Sequence, residues 1–113
     1  TYNAAAIAEV TTLSNASSTV AVDLSLSNNF TLTLNGTVST IGAPTNAVAG
    51  QSGSIFLVQD STGSRTTGWN NNWKFAAGTV PTLTTTASAV DRVDYICKSS
   101  TEIHAVATLN YTR

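Results

Sequence analysis

The sequence contains no methionine, one cysteine and one histidine. A single cysteine cannot form an internal disulfide, so stability has to come from core packing and from association with other chains. Zinc sites need three or four nitrogen and sulfur ligands, which this chain cannot supply alone. No phosphate-cradling glycine motif precedes a helix pattern. We therefore expect no metal ion and no cofactor.

Charge is also scarce, because only 10% of the residues are charged and the net charge is −1. A usual domain has about a quarter of its residues charged. This balance gives no electrostatic reason to expect nucleic acid or an anionic membrane as a partner. Uncharged surface costs little to desolvate. The composition therefore favours a chain that buries much of its outside against copies of itself or against another protein.

Long apolar runs and a signal-peptide pattern are missing too. The sequence starts at Thr1, which is what removal of an initiator methionine before a small residue leaves. We expect a complete protein made in the cytoplasm, with a fragment of a longer chain as the alternative. A length of 113 residues predicts one domain with its own core.

Alternating apolar and polar residues predict a strand at 20–26, with Val20, Val22, Leu24 and Leu26 on one face, and a strand at 30–34, with Phe30, Leu32 and Leu34 inward. A continuous run of four apolar residues predicts a further strand at 54–59, buried on both faces. Asn35-Gly36 is a strong turn signal, and it predicts that 37–41 pairs back on 30–34. The residues that follow 54–59 supply turn chemistry, so 65–67 is expected to complete a second hairpin.

A third hairpin is predicted near the end of the sequence. The apolar sets of its two strands face together if Cys97 lies opposite Ala105, with residues 100–102 as the loop. His104 then points to the opposite face from Cys97. A Cys–His dyad needs both side chains within hydrogen-bond reach, so we expect no catalytic residue and a chain that is not an enzyme.

Strands at this spacing are typical of an all-β fold, an antiparallel β-sandwich that resembles a jelly roll. Residues 1–18 are harder to assign. They contain helix formers after an Asn cap, and they could instead be an extended arm that lies on a neighbouring subunit. We favour an N-terminal arm at 1–18, with a short helix as the alternative, and a β-sandwich domain at 19–113.

Aromatic residues concentrate in the stretch 50–81, which holds both tryptophans. Trp69, Trp73 and Phe75 surround an asparagine-rich loop. In one interpretation these aromatic rings cap one end of the core. In the other they form a contact surface for a sugar or for a partner protein.

An ordered set of motifs in this region resembles a β-rich module of bacteriophage virion proteins, which occurs as small structural proteins and at the ends of tail-fibre-like proteins. The likeness covers roughly residues 20–109, and Gly68 and Ala77 depart from the usual pattern. The motif residues are Phe30-Thr31-Leu32-Thr33-Leu34-Asn35-Gly36, Gly50-Gln51-Ser52-Gly53-Ser54-Ile55, Gln59-Asp60, Gly63-Ser64-Arg65-Thr66, Trp69, Trp73-Lys74-Phe75, Gly78-Thr79-Val80-Pro81-Thr82-Leu83-Thr84 and Asp91.

The resemblance implies a structural role in the virion. In the first version the chain is a head decoration (cement) protein on the capsid exterior, bound to the major capsid protein and to itself as a trimer or dimer. In the second version it is a tail-fibre or receptor-binding module that contacts host-surface glycans. A free lectin domain and a hydrolase are further alternatives. The expected partner-binding residues are Tyr2, Ile7, Val10, Leu13, Trp69 and Trp73.

Overall fold

Strands form in this chain where apolar residues alternate with small polar ones. The computed structural model describes residues 8–112, which are almost all β and contain no α-helix. The all-β class is therefore confirmed. The strands are β1 (Val10–Thr12), β2 (Thr19–Val20), β3 (Asn29–Leu34), β4 (Thr40–Ile41), β5 (Ser52–Gln59), β6 (Gly68–Trp69), β7 (Trp73–Phe75), β8 (Val90–Cys97) and β9 (Ile103–Thr108), with a 3-10 turn at Ala76–Gly78.

The strands form two sheets, and most of the pairs are parallel. The larger sheet has six strands in the order β1-β3-β5-β8-β9-β7, and the smaller has three in the order β2-β4-β6. Only β5–β8 and β8–β9 are antiparallel among the named pairs. From β1 to β6 the chain alternates between the sheets. The expectation of an antiparallel fold is thus wrong for most pairs, and neither a sandwich nor a jelly roll is confirmed.

Two of the predicted hairpins are absent because their turns lead to the other sheet. After β3, Asn35 Oδ1 accepts hydrogen bonds from the N–H groups of Thr37 and Val38, at 3.0 and 3.2 Å. The chain then enters β4, which pairs with β2 and β6 rather than with β3. Residues 65–67 likewise form no strand beside β5, and the chain continues into β6. Turn chemistry was therefore predicted correctly, but the pairing partners were not.

β5 is the centre of the larger sheet, between β3 and β8. Its inward residues Ile55 and Leu57 are buried, whereas Phe56 and Val58 on the other face are half-buried. At its start, Gly53 lies so close to the backbone of Asn28 that a Cβ atom has no room. The strand prediction at 54–59 is confirmed, with one face fully buried rather than both.

The β8–β9 hairpin is present, with a register that differs from the prediction. Tyr95 lies opposite Ala105, and Cys97 lies opposite Ile103. The N–H of Lys98 donates to the carbonyl of Glu102 at 2.9 Å, which moves the loop tip to residues 99–101. Because the difference in pairing is two residues, every side chain keeps its predicted face.

The core draws side chains from both sheets into one cluster. The buried apolar residues are Leu13, Val20, Val22, Leu24, Phe30, Leu32, Leu34, Val38, Ile41, Ile55, Leu57, Trp73, Phe75, Leu83, Val93, Tyr95, Cys97, Ile103 and Ala105.

Leu26 was expected to face inward, but it is 66% exposed. Regular strand pairing in this part of the chain ends at Val20 and continues only as an isolated bridge at Asp23.

Part of the predicted N-terminal arm belongs to the larger sheet. β1 pairs in parallel with β3, and Leu13 directly after it donates its N–H to the carbonyl of Thr31 at 2.8 Å. Residues 1–7 lie outside the described residues. The boundary between an arm at 1–18 and a domain at 19–113 stays a prediction.

Candidate functional site

The predicted contact residues near the N-terminus lie in different environments. Tyr2 and Ile7 fall outside the described residues. Val10 is 51% exposed, while Leu13 is 7% exposed and packs in the core. Only Val10 of this group is thus shown on the surface, and a partner could reach Leu13 only if the core opened.

The two tryptophans also differ. Trp73 is 4% exposed, and its Nε1 donates to the buried carbonyl of Gly42 at 2.9 Å. Trp69 is partly exposed and packs edge-on against Trp73 and Phe75, with ring centroids 5.2 Å apart in each pair. Trp73 and Phe75 are thus core residues, and Trp69 is the member of the cluster that reaches the surface.

Gln59 and Asp91 are buried polar residues that belong to none of the predicted sites. Gln59 donates from Nε2 to the carbonyls of Arg65 and Thr84, at 2.7 and 2.9 Å, and accepts from the N–H of Arg65 at 2.9 Å. Asp91 accepts from the N–H groups of Thr84 and Asn110, both at 2.7 Å. Both lie at inward positions of their strands. The alternation of apolar and polar residues could therefore have predicted that these two polar side chains are buried.

Asp60 organises the turn after β5. Its Oδ1 accepts from the N–H groups of Thr62 and Gly63, and its Oδ2 lies 3.1 Å from Nε of Arg65. Partial desolvation raises the pKa of Asp60, but the hydrogen bond from Gly63 and the nearby Arg65 outweigh it, so the pKa is lowered. Asp60, Gly63 and Arg65, which are among the motif residues of the resemblance, therefore hold this turn together.

Cys97 and His104 lie on opposite faces of the larger sheet, as predicted. Cys97 is buried in the core, and this burial raises the pKa of its thiol. His104 is exposed, with Nε2 at 2.7 Å from Oε2 of Glu102. The two side chains cannot form a dyad in this arrangement. Within residues 8–112, no group of three or more His, Cys, Asp or Glu side chains could hold a metal ion.

The larger sheet has an outer face, made of the side chains that alternate with core residues along its strands. Val10, Ile96 and Val106 on this face are 51%, 51% and 59% exposed. Near its middle, Arg92 Nε lies 2.9 Å from Asp94 Oδ1, so two of its few charges neutralise each other. The outer face is therefore broad, weakly charged and partly apolar.

A shallow hollow crosses this face between β8 and β9. Its volume is about 320 Å³, and its lining includes Ile96, Val106 and His104. Beside it the guanidinium of Arg92 lies over the ring of Tyr111, 5.0 Å from the centroid. The hollow is wide and open, which suits contact with a protein surface better than enclosure of a small molecule.

No protein-family model matches this chain, and comparisons with curated proteins and with solved structures gave no match. The family resemblance therefore stays a prediction from the motif residues. In the part of the chain that the structure describes, no helix has the length and apolar character needed to cross a membrane.

Proposed function

We propose that this chain is a bacteriophage virion structural protein, a capsid decoration protein that binds the outer surface of the major capsid protein lattice and stabilises the head. It is made in the host cytoplasm, associates with itself as a dimer or trimer, and acts by binding rather than by catalysis. The observation that carries the proposal is the outer face of the larger sheet.

The outer face has the properties of a surface that is covered in an assembly. Ile96 and Val106 gain by leaving water, at roughly 25 cal/mol for each Å² of apolar area buried. Arg92 and Asp94 already form an ion pair with each other. A protein partner therefore does not have to supply a counter-charge for either of them.

Decoration of a capsid lattice uses many weak contacts at once. A dimer or trimer that spans neighbouring capsid subunits converts later contacts into intramolecular ones, which raises avidity without new chemistry. A small, weakly charged domain with one apolar face fits this mode of binding.

The contact residues predicted from the sequence take different parts in this proposal. Val10 lies on the outer face beside β3, and we assign it direct contact together with Tyr2 and Ile7. Trp69 offers its exposed part to a partner. Leu13 and Trp73 are buried, so we assign them an indirect part, in which they pack beneath the contact residues and hold them in place.

We also infer that the two sheets face each other as a sandwich. In support, Val20 and Ile41 of the smaller sheet belong to the same buried cluster as Phe30 and Leu32 of the larger sheet. This inference concerns the layers only. It does not include jelly-roll connections, because the chain alternates between the sheets through parallel pairs.

The first test is the location of the protein in the phage particle. Filled heads and tails are separated, and each fraction is assayed with an antibody against this chain. A decoration protein travels with heads at many copies. Recovery with tails at a few copies would overturn the capsid role and favour the receptor-binding alternative.

The second test addresses the outer face with two matched valines. Val106 on this face is 59% exposed, and Val48 in the loop before β5 is 65% exposed. We expect Val106→Asp to weaken binding to heads that lack the protein by about tenfold or more, because a charge is then buried in the contact. Val48→Asp should bind like the unchanged protein. Equal binding by both variants would show that the outer face is not the contact.

A further inference from the structure

A second, smaller hollow lies beside Trp69, away from the β8–β9 strands. Its volume is about 180 Å³, and its lining includes Trp69, Asn70, Asn71, Lys74 and Val80. Pockets for drug-sized ligands usually measure about 300–1,000 Å³. This hollow therefore has room for about one small ring, and any further part of a ligand would extend out of it.

The aromatic wall of this hollow is held rigidly. Trp69 meets Trp73 and Phe75 edge-on, at interplanar angles of 72° and 75°. Trp73 is fixed in turn by its hydrogen bond to Gly42. Nε1 of Trp69 has no hydrogen-bond partner among the described residues, so packing alone holds this ring. A ring fixed by its neighbours loses little freedom when a ligand stacks on it.

The rim of the hollow is polar and almost uncharged. Asn70 Oδ1 accepts from the N–H of Asn72 at 2.9 Å, which holds the turn between β6 and β7. The side chain of Asn71 is exposed, and its amide offers both donors and an acceptor. Lys74 is the one charged residue of the lining, but its side chain lies on the opposite face of β7 from Trp73 and Phe75, beside His104.

From this arrangement we propose that the hollow binds one saccharide ring. The apolar C–H face of the sugar stacks against Trp69, and its hydroxyl groups exchange hydrogen bonds with the side-chain amide of Asn71. The lining has no arginine or second lysine to hold a phosphate, and its polar rim does not suit a purely apolar ligand. The outer face, and not Trp69, carries the capsid proposal, so a decoration protein and a receptor-binding module could both have this site. The two proposals differ only in whether a sugar or a protein covers Trp69.

The experiment uses the indole N–H signals of the two tryptophans in a two-dimensional NMR spectrum. The probes are methyl glycosides of glucose, galactose, mannose, N-acetylglucosamine and sialic acid, each titrated into the millimolar range. We expect at least one glycoside to shift the Trp69 signal in a saturable way and to leave Trp73 nearly unmoved. The spectrum of Trp69→Phe assigns the two signals.

Variants then separate the site from non-specific contact. Trp69→Ala and Asn71→Ala should each weaken the binding glycoside by about tenfold. Lys74→Ala, on the outer face, and Lys98→Ala, in the β8–β9 loop, should both leave the affinity unchanged. Asn71→Ala alters an exposed residue, so it stays informative if Trp69→Ala unfolds.

Two results would overturn the saccharide site. One is that no glycoside of the panel shifts the Trp69 signal. The other is a Trp69 shift that persists with unchanged affinity in Asn71→Ala. Neither result bears on the location of the protein in the particle, so this proposal and the capsid proposal can fail separately.

Discussion

The backbone carbonyl of Asn28 occupies the space that a Cβ atom on Gly53 would need. The same carbonyl accepts the hydroxyl proton of Tyr95 at 2.7 Å. β5 can therefore begin beside β3 only if residue 53 has no side chain.

Gly53→Ala tests this close approach. We expect a loss of about 1–3 kcal/mol in the free energy of unfolding, because the strand has to move away from Asn28. Urea denaturation followed by circular dichroism measures the change. Gly68→Ala is the matched control, because the nearest atom to its Cβ would lie at 3.6 Å, an ordinary contact. Equal stability of the two variants would show that the approach at Gly53 relaxes without cost.

Replacement by phenylalanine should destabilise the protein to different degrees at the two tryptophans. Trp73→Phe removes the donor to Gly42 and leaves that buried carbonyl unsatisfied, so we expect a loss of about 1–3 kcal/mol beyond the smaller ring. Trp69→Phe removes an N–H without a partner among the described residues. The loss in the free energy of unfolding should therefore be smaller for Trp69→Phe than for Trp73→Phe, by about 1 kcal/mol or more. If Trp69→Phe were the more damaging, Trp69 would have a partner that this structure does not show.

Asp91 should contribute more to stability than the other aspartate of β8. It is 2% exposed and accepts from two backbone N–H groups, whereas an asparagine has only one side-chain oxygen. Asp91→Asn is expected to cost about 1–3 kcal/mol. Asp94→Asn, with its side chain 37% exposed in an ion pair, should cost less than about 1 kcal/mol. Unfolding curves at neutral pH compare the two, and similar losses would contradict a structural role for Asp91.

Tyr95 predicts a loss of stability in strong alkali. Burial, and then the nearby Cys97, raise the pKa of Tyr95 to about 12. Because the pKa is raised in the folded state, its contribution is complete below the ordinary pKa near 10 and is lost as the pH rises towards 12. Tyr95→Phe should be less stable at neutral pH and should lose less stability over this alkaline interval. A parallel decline in both proteins would assign the alkaline loss to other groups.

Most residues that face the core could be predicted from the sequence, with Leu26 as an exception. Val20, Phe30, Leu32, Ile55 and Val93 are buried as expected, since alternation with period two reports the face of a strand directly. The same pattern contains no information about strand direction or partner. For this reason a parallel pair such as β3–β5 was not distinguished from a hairpin.

The shortest strands were the hardest to predict. β2, β4 and β6 have two residues each, which is too short for any periodicity to show. The candidate sites were predicted only in part. Trp69 was identified from composition, whereas the outer face depends on which strands pair, and side-chain patterns do not specify that.

The order of the strands has a consequence for how the chain folds. Among the hydrogen-bonded strand pairs of residues 8–112, only β8–β9 joins strands that are consecutive in the chain. Every other pair has to close a long loop first, so we expect folding on the millisecond-to-second scale typical of non-local β topologies. This one local hairpin is also synthesised after the strands that it covers. Until β8 reaches β5 during synthesis, that edge of β5 is unpaired and exposed to association with other chains.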